Sequence, residues 1–266
     1  MIDIGLNSPE DEAFLDRQMA TIELLHTYRD QMRGKLPADS ELLRLERSTL
    51  GGAVNLIDTV SAAMETSQDS VTMLKEILQE SHPTKPIVLQ SLLRSALMGA
   101  GRVVFALGPE DPLERLANCR AIVHQDGHSY VSALKDFATF QAIEVLRPTD
   151  DEVEATTQRH RSTYGGNRPR GEFNTIQAMA ETIGKLVEQQ ADDSQPVAAL
   201  SDSIKWCWHV YSGAAHGYGW PRYVPSFSRN GTTRMPGSFL TDLGIVVPVV
   251  HTAFHFLLLR SKSAAG

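Results

Sequence analysis

The chain has 266 residues, a formal net charge of −7 and a pI near 5.7. An acidic balance of this kind gives no electrostatic basis for nonspecific binding of nucleic acid. Hydrophobic residues make up 42% and charged residues 21%, which suits a globular chain able to bury one good core, or two small ones. Cys119 and Cys207 are far apart and belong to no motif, so they read as free thiols of a reducing compartment. The N-terminus has neither a basic n-region nor an apolar h-region, and a cytoplasmic location is expected.

The apolar pattern has the period of helices throughout. Ser8-Pro9-Glu10-Asp11 is a capped helix start, and Phe14, Leu15, Met19, Ile22 and Leu25 follow as a stripe until Gly34 and Pro37. A second helix is predicted from Asp39 or Ser40 to about Ser67, with a bend or close packing at Gly51-Gly52, then a short one from Asp69 to about Glu80. Pro86 opens the most apolar interior helix, predicted over residues 85–107 and central because its apolar positions cover most of its circumference. Arg94 and Arg102 lie on it eight residues apart, with Met98 between them. An arginine inside a bundle needs an acidic partner or a route to water, and the alternative is an anion-binding role in a cleft.

Asp111-Pro112-Leu113-Glu114 restarts the chain as a helix predicted to reach about Leu146. It carries His124 and His128 at i, i+4. Gln125 stands where a zinc protease of the H-E-x-x-H type needs its glutamate, which argues against that chemistry. Pro148-Thr149-Asp150 caps the next helix, which runs to about Thr163. Arg159, His160 and Arg161 end it and Arg168 and Arg170 follow, making the one basic cluster. It reads first as a solvated loop over 164–173, with a phosphate- or RNA-contacting lid as the alternative.

Asn174 is predicted to cap a further helix to about Gln190. Residues 217–240 are rich in Gly, Pro, Ser and Arg and form a second long loop. The last helix, about Asp242–Ser261, is nearly continuously apolar. Pro248, His251 and His255 interrupt it, so a core or oligomer-seam helix is a better reading than a membrane span. His251 and His255 repeat the i, i+4 spacing. No metal or cofactor is assigned, and His124, His128, His251 and His255 are the candidates should the two pairs converge.

One stretch concentrates the chemistry. Trp206–Trp220 contains all three tryptophans, and on a helix Trp208, Tyr211, Ser212, Ala215 and His216 share a face. Gly217 and Gly219 then end the helix and Pro221 prevents its resumption. Aromatic residues at this spacing most often belong to a core, and Ser and His beside them are most often hydrogen-bonded there. The sharper reading is a pocket floor. The Ser212–His216 pair is not a triad, and no G-x-S-x-G elbow occurs in the chain.

Leu92-Leu93-Arg94-Ser95-Ala96-Leu97 together with Tyr211-Ser212-Gly213-Ala214-Ala215-His216-Gly217 resembles a loose group of uncharacterised actinobacterial all-helical proteins. These carry R-x-x-x-E and Y-x-x-S-x-x-x-H-G helices and are distantly similar to HEPN-like bundles. The matched residues span about a tenth of the chain. Met98 occupies the position of the group's acid, and the HEPN ribonuclease spacing of Arg, four to six residues, then His is absent, so the resemblance implies a fold rather than that reaction.

The expectation is therefore an all-α protein, a single helical domain over 1–266 with about eight or nine helices. Its first functional reading is a binding or accessory protein for a small ligand or protein partner. Trp208, Tyr211, Ser212, His216 and Arg94 would line its pocket, with Arg102 a further ligand contact. The second is a nuclease or other hydrolase on an anionic substrate, with His216 as acid/base, Ser212 positioning the substrate, and Arg94 or Arg102 stabilising negative charge. The third is a structural helical homo-oligomer, in the simplest case a homodimer sealed by the last helix. RNA is an alternative partner, and no membrane is expected.

Overall fold

The computed structural model describes residues 6, 8–32, 35–80, 85–141, 147–190, 197–223 and 239–263. Among these residues there are nine α-helices and no strand, so the all-α expectation is met. They are α1 (Pro9–Met32), α2 (Glu41–Thr49), α3 (Leu56–Gln79), α4 (Pro86–Leu107), α5 (Pro112–Ala138), α6 (Asp150–Tyr164), α7 (Glu172–Gln190), α8 (Val197–Ala215) and α9 (Phe239–Ser261). A 3₁₀ turn at Trp220–Tyr223 follows α8.

α4 is the axle, as its apolar circumference predicts. Leu93, Ala96, Leu97, Ala100, Val103 and Val104 are all 0% exposed, and α3, α5, α7, α8 and α9 pack around it. The closest approach is to α3. A Cβ on Gly99 would lie 2.1 Å from the Ala63 carbonyl oxygen and 2.4 Å from Ser67 Oγ. Ser67 Oγ uses this proximity to donate 2.8 Å to the Ala96 carbonyl. α9 fills the other side, and its inward residues, from Leu243 to Leu257, are buried by α1 and α4. By length and composition α4 and α9 could each cross a bilayer. Here 50% and 56% of those apolar stretches are buried inside the bundle.

The caps explain most element starts. Ser8 accepts from the Asp11 amide, Asp111 from Leu113, and Thr149 forms a reciprocal capping box with Glu152. The predicted second helix is corrected into two. Gly51 takes φ +109, a region that only glycine enters freely, so α2 stops at Thr49. Asn55 then caps a new helix through the Asp58 amide, and Glu46 reaches over from α2 to accept both the Leu56 and Ile57 amides at 2.8 and 3.0 Å. The restarted α3 runs through Asp69 without a break. Two further bounds shift. α5 ends at Ala138, where Thr139 caps it, and residues 142–146 lie outside the described residues. α7 begins at Glu172, which puts Asn174 inside the helix rather than at its cap.

A polar node ties the lower end of the bundle. Glu41 accepts Nε and Nη2 of Arg115, at 2.8 and 2.6 Å, and Nη1 of Arg260 at 3.1 Å. Arg115 also donates to the Pro109 and Glu110 carbonyls, and Arg260 Nε to the Leu107 carbonyl that ends α4. One carboxylate thus joins α2, α5 and α9, with both guanidiniums largely buried and bonded.

Candidate functional site at the α4–α7–α8 face

α8 ends as its glycines predict. Gly217 takes φ +72, its amide donates to the Ala214 carbonyl, and the Tyr218 amide donates to Gly213, the paired bonds of a Schellman stop. Trp220 and Pro221 then fold back onto Gly213, where a Cβ would meet the indole at 2.5 Å. The small residue admits this turn. The rest of the 217–240 loop, residues 224–238, lies outside the described residues.

The structure divides the predicted α8 face in two. Ser212 is buried and its Oγ accepts from Arg94 Nε at 3.0 Å across the α4–α8 contact. Trp208 Nε1 points at Met98 Sδ, 3.0 Å away, and its ring lies 5.3 Å from Phe173 and 5.1 Å from His209. Arg94, Ser212, Trp208 and Phe173 therefore form one neighbourhood at the start of α7. Tyr211 turns the other way. It is 2% exposed, and its hydroxyl donates to Asp242 of α9, so it belongs to the core.

His216 is exposed at the end of α8, with its ring 5.8 Å from Tyr218. Its backbone amide closes the last helical turn on the Ser212 carbonyl at 3.0 Å, and among the described residues no side-chain hydrogen bond or ion pair joins its imidazole to Arg94 or Ser212. Arg102 separates from Arg94 as well. Eight residues along a helix turn the side chain by about 80°, and Arg102 Nη2 meets Asp126 of α5 at 2.8 Å, whose other oxygen accepts from Thr59.

The acid missing at Met98 comes from another helix. Glu172 Oε2 stands 3.6 Å from Arg94 Nη2, and its side chain is 53% exposed against 22% for the arginine. Sequence reasoning placed this position in a loop. The only signal was an acid at a helix start, which does not say what it faces. Arg170, from the same connection, lies 4.8 Å over the Phe105 ring.

A second cluster lies between α5 and α6. His124 stacks on Tyr164 at 4.9 Å with 5° between the rings, while His160 lies 5.3 Å and His128 6.5 Å from His124. Burial and the neighbouring imidazoles hold His124 and His160 below the usual histidine range. The sequence puts His160 in a solvated basic cluster, and the structure corrects this: it is 6% exposed. Its spacing from Tyr164, i to i+4, was the available sign that both face α5.

The other histidine pair is elsewhere. His251 Nε2 sits 3.2 Å from the Tyr28 hydroxyl, and His255 is exposed. Each pair thus has its own partners. Among the described residues no three His, Cys, Asp or Glu side chains are grouped so as to hold a metal ion.

The third polar centre is buried. Asp242 accepts from Tyr211 and from Cys207 Sγ, the latter at 3.5 Å. Burial raises its carboxyl to about 6 against the lowering effect of these two bonds. Both cysteines are free and buried, and burial pushes the Cys119 thiol up to about 12. Neither is poised as a nucleophile.

No family model, curated protein or solved structure matches the chain.

Proposed function

We propose that the protein is a binding protein for a small anion carrying an aromatic or apolar body, taken up at Arg94 beside Ser212, Trp208 and Phe173. The observation that carries this reading is how loosely Arg94 is paired. Arg102, Arg115 and Arg260 each meet a carboxylate at 3.1 Å or less. Arg94 has a neutral hydroxyl and a carboxylate at 3.6 Å on a side chain more than half exposed. Glu172 is thus an exchangeable counter-ion: an incoming carboxylate or phosphate displaces it, gains charge-assisted bonds to the guanidinium and keeps the Ser212 contact. Trp208 and Phe173 supply an apolar wall, the usual companion of a few oriented polar groups in a small-molecule site.

The hydrolase alternative depends on His216 acting with Arg94, and among the described residues the ring beside His216 is Tyr218. The binding reading therefore stands first. Titration calorimetry at low ionic strength with inorganic phosphate, benzoate and indole-3-acetate tests it. Arg94→Met is expected to weaken the organic anions by about tenfold to a hundredfold, the loss of one charged hydrogen-bonding partner. Glu172→Gln is expected to tighten them by removing the competitor. Equal heats for wild type and Arg94→Met would sink the proposal.

A further inference from the structure

We infer that α6 is a proton-released latch, docked on α5 through the neutral imidazoles of His160 and His124 and freed when these two take up protons. This does not depend on the anion-binding reading.

α6 is otherwise a poor core helix. Its first turn is Asp150, Asp151 and Glu152, Arg159 and Arg161 are exposed, and His160 is its one buried residue. The imidazole reaches α5 because residue 127 is glycine. A Cβ there would come within 2.7 Å of His160 Cε1 and Nδ1. Tyr164 adds its stack on His124 and a 3.4 Å bond to the Thr49 carbonyl, and Thr163 Oγ1 donates 2.6 Å to the Gly51 carbonyl. These few contacts, together with packing on α5, hold the helix.

The unusual feature is what His160 lacks. Both ring nitrogens are buried, and among the described residues neither has a hydrogen-bond partner. A buried polar atom without a partner is costly and calls for an explanation. Here the ring serves as an apolar plug only while neutral. Protonation would add a second N–H donor, leaving two without an acceptor, and place a charge in a buried site.

The surroundings do not offset that charge. From α5 the facing titratable groups are His124 and His128, and both disfavour a proton on His160. Arg120, also on α5, turns its guanidinium to the Ser48 carbonyl. From α2 the nearest acid is Glu46, whose carboxylate is engaged by the Leu56 and Ile57 amides and acts on Tyr164 rather than on His160. From α6 itself come Tyr164 and the exposed Arg159 and Arg161. Three imidazoles in one interface with no carboxylate acting on the buried one is the arrangement of a pH-sensitive contact. α6 also leads into residues 165–171, which carry Arg170 and precede Glu172 and Phe173, so its release lengthens the tether on that side of the Arg94 face.

Hydrogen exchange read by mass spectrometry on the full chain tests this, comparing about pH 7.5 with about pH 5, a range that brackets histidine titration. After correction for intrinsic exchange, α6 amides of the wild type are expected to lose protection several-fold at the acidic end, while α3 and α4 keep theirs. In His160→Leu the α6 loss should vanish. His160→Gln, which also cannot titrate, should behave likewise and guards against a folding defect of the leucine variant. Unchanged α6 protection in the wild type, the same loss in both variants, or a loss shared by α3 and α4 overturns the latch. So does Zn²⁺ at neutral pH protecting α6 in the wild type but not in His160→Gln, because the cluster would then be a metal site.

Discussion

At the scale of single residues, the group whose shifted titration falls between acid and neutral pH is Asp242. Burial raises its carboxyl from the usual 3.8 to about 6. Between those values the folded chain holds a proton that the unfolded chain has released, so this group favours folding at low pH and the benefit is lost as pH rises through about 6. Integrated over the shift, the effect is about 3 kcal/mol. The depressed histidines His124, His160 and His251 act in the opposite direction, weakening the fold as pH falls below the usual histidine range. Comparing wild type with Asp242→Asn at each pH removes their contribution. Urea unfolding is expected to show the variant gaining about 2 kcal/mol on the wild type between about pH 4 and pH 7, most of the full effect. A constant difference across that range would mean the carboxyl does not titrate in the folded state. Asp242 was visible in the sequence only as a helix-start acid. Its raised proton affinity comes from burial in the packed bundle, against the bonds from Tyr211 and Cys207 of α8, which favour the carboxylate.

At the scale of elements, the contact of α3 with α4 is set by Gly99. Replacing it with alanine improves helix propensity by about 1 kcal/mol. The new Cβ would lie 2.1 Å from a backbone carbonyl, which cannot rotate aside as a flexible side chain could. Overpacking costs about 1–3 kcal/mol and occasionally more, so it should win. Gly99→Ala is expected to lower stability by about 2 kcal/mol net, measured by the urea midpoint at unchanged slope. Equal or higher stability would show that the helices part at little cost. The α2–α3 break teaches a related lesson. Gly51-Gly52 and Asn55 mark a boundary in the sequence, but the continuous apolar stripe argued for one helix. Glu46, capping α3 from α2, helps stabilise the break, and no local pattern announces a cap supplied ten residues upstream.

At the scale of the whole molecule, α9 decides how an assembly could form. Leu257 is 1% exposed within a single chain, because α1 and α4 already cover that face. A seam built on it would require the core to open. Leu257→Asp is therefore expected to unfold the chain at every concentration, well beyond the 2–5 kcal/mol typical of a buried leucine cut to alanine. Sedimentation and circular dichroism together check this. A folded monomer released from a larger wild-type species would overturn it and restore α9 as a seam. Pro248, His255 and Leu259 are exposed on the remaining face.

Helical class, the central place of α4 and the stops at Gly108 and Gly217 follow from the sequence alone, because periodicity, caps and breakers act within a few residues of one another. The tryptophan stretch was legible as a concentration of chemistry for the same reason. The partners were not. Pairing Arg94 with Ser212 and Glu172, turning Tyr211 to Asp242, sending Arg102 to Asp126 and sealing His160 over Gly127 join residues between 24 and 118 positions apart or on separate helices. Those choices depend on the angles and distances at which whole helices cross. Helix periodicity fixes which side of each cylinder is apolar, and only close packing around α4 decides which polar group meets which.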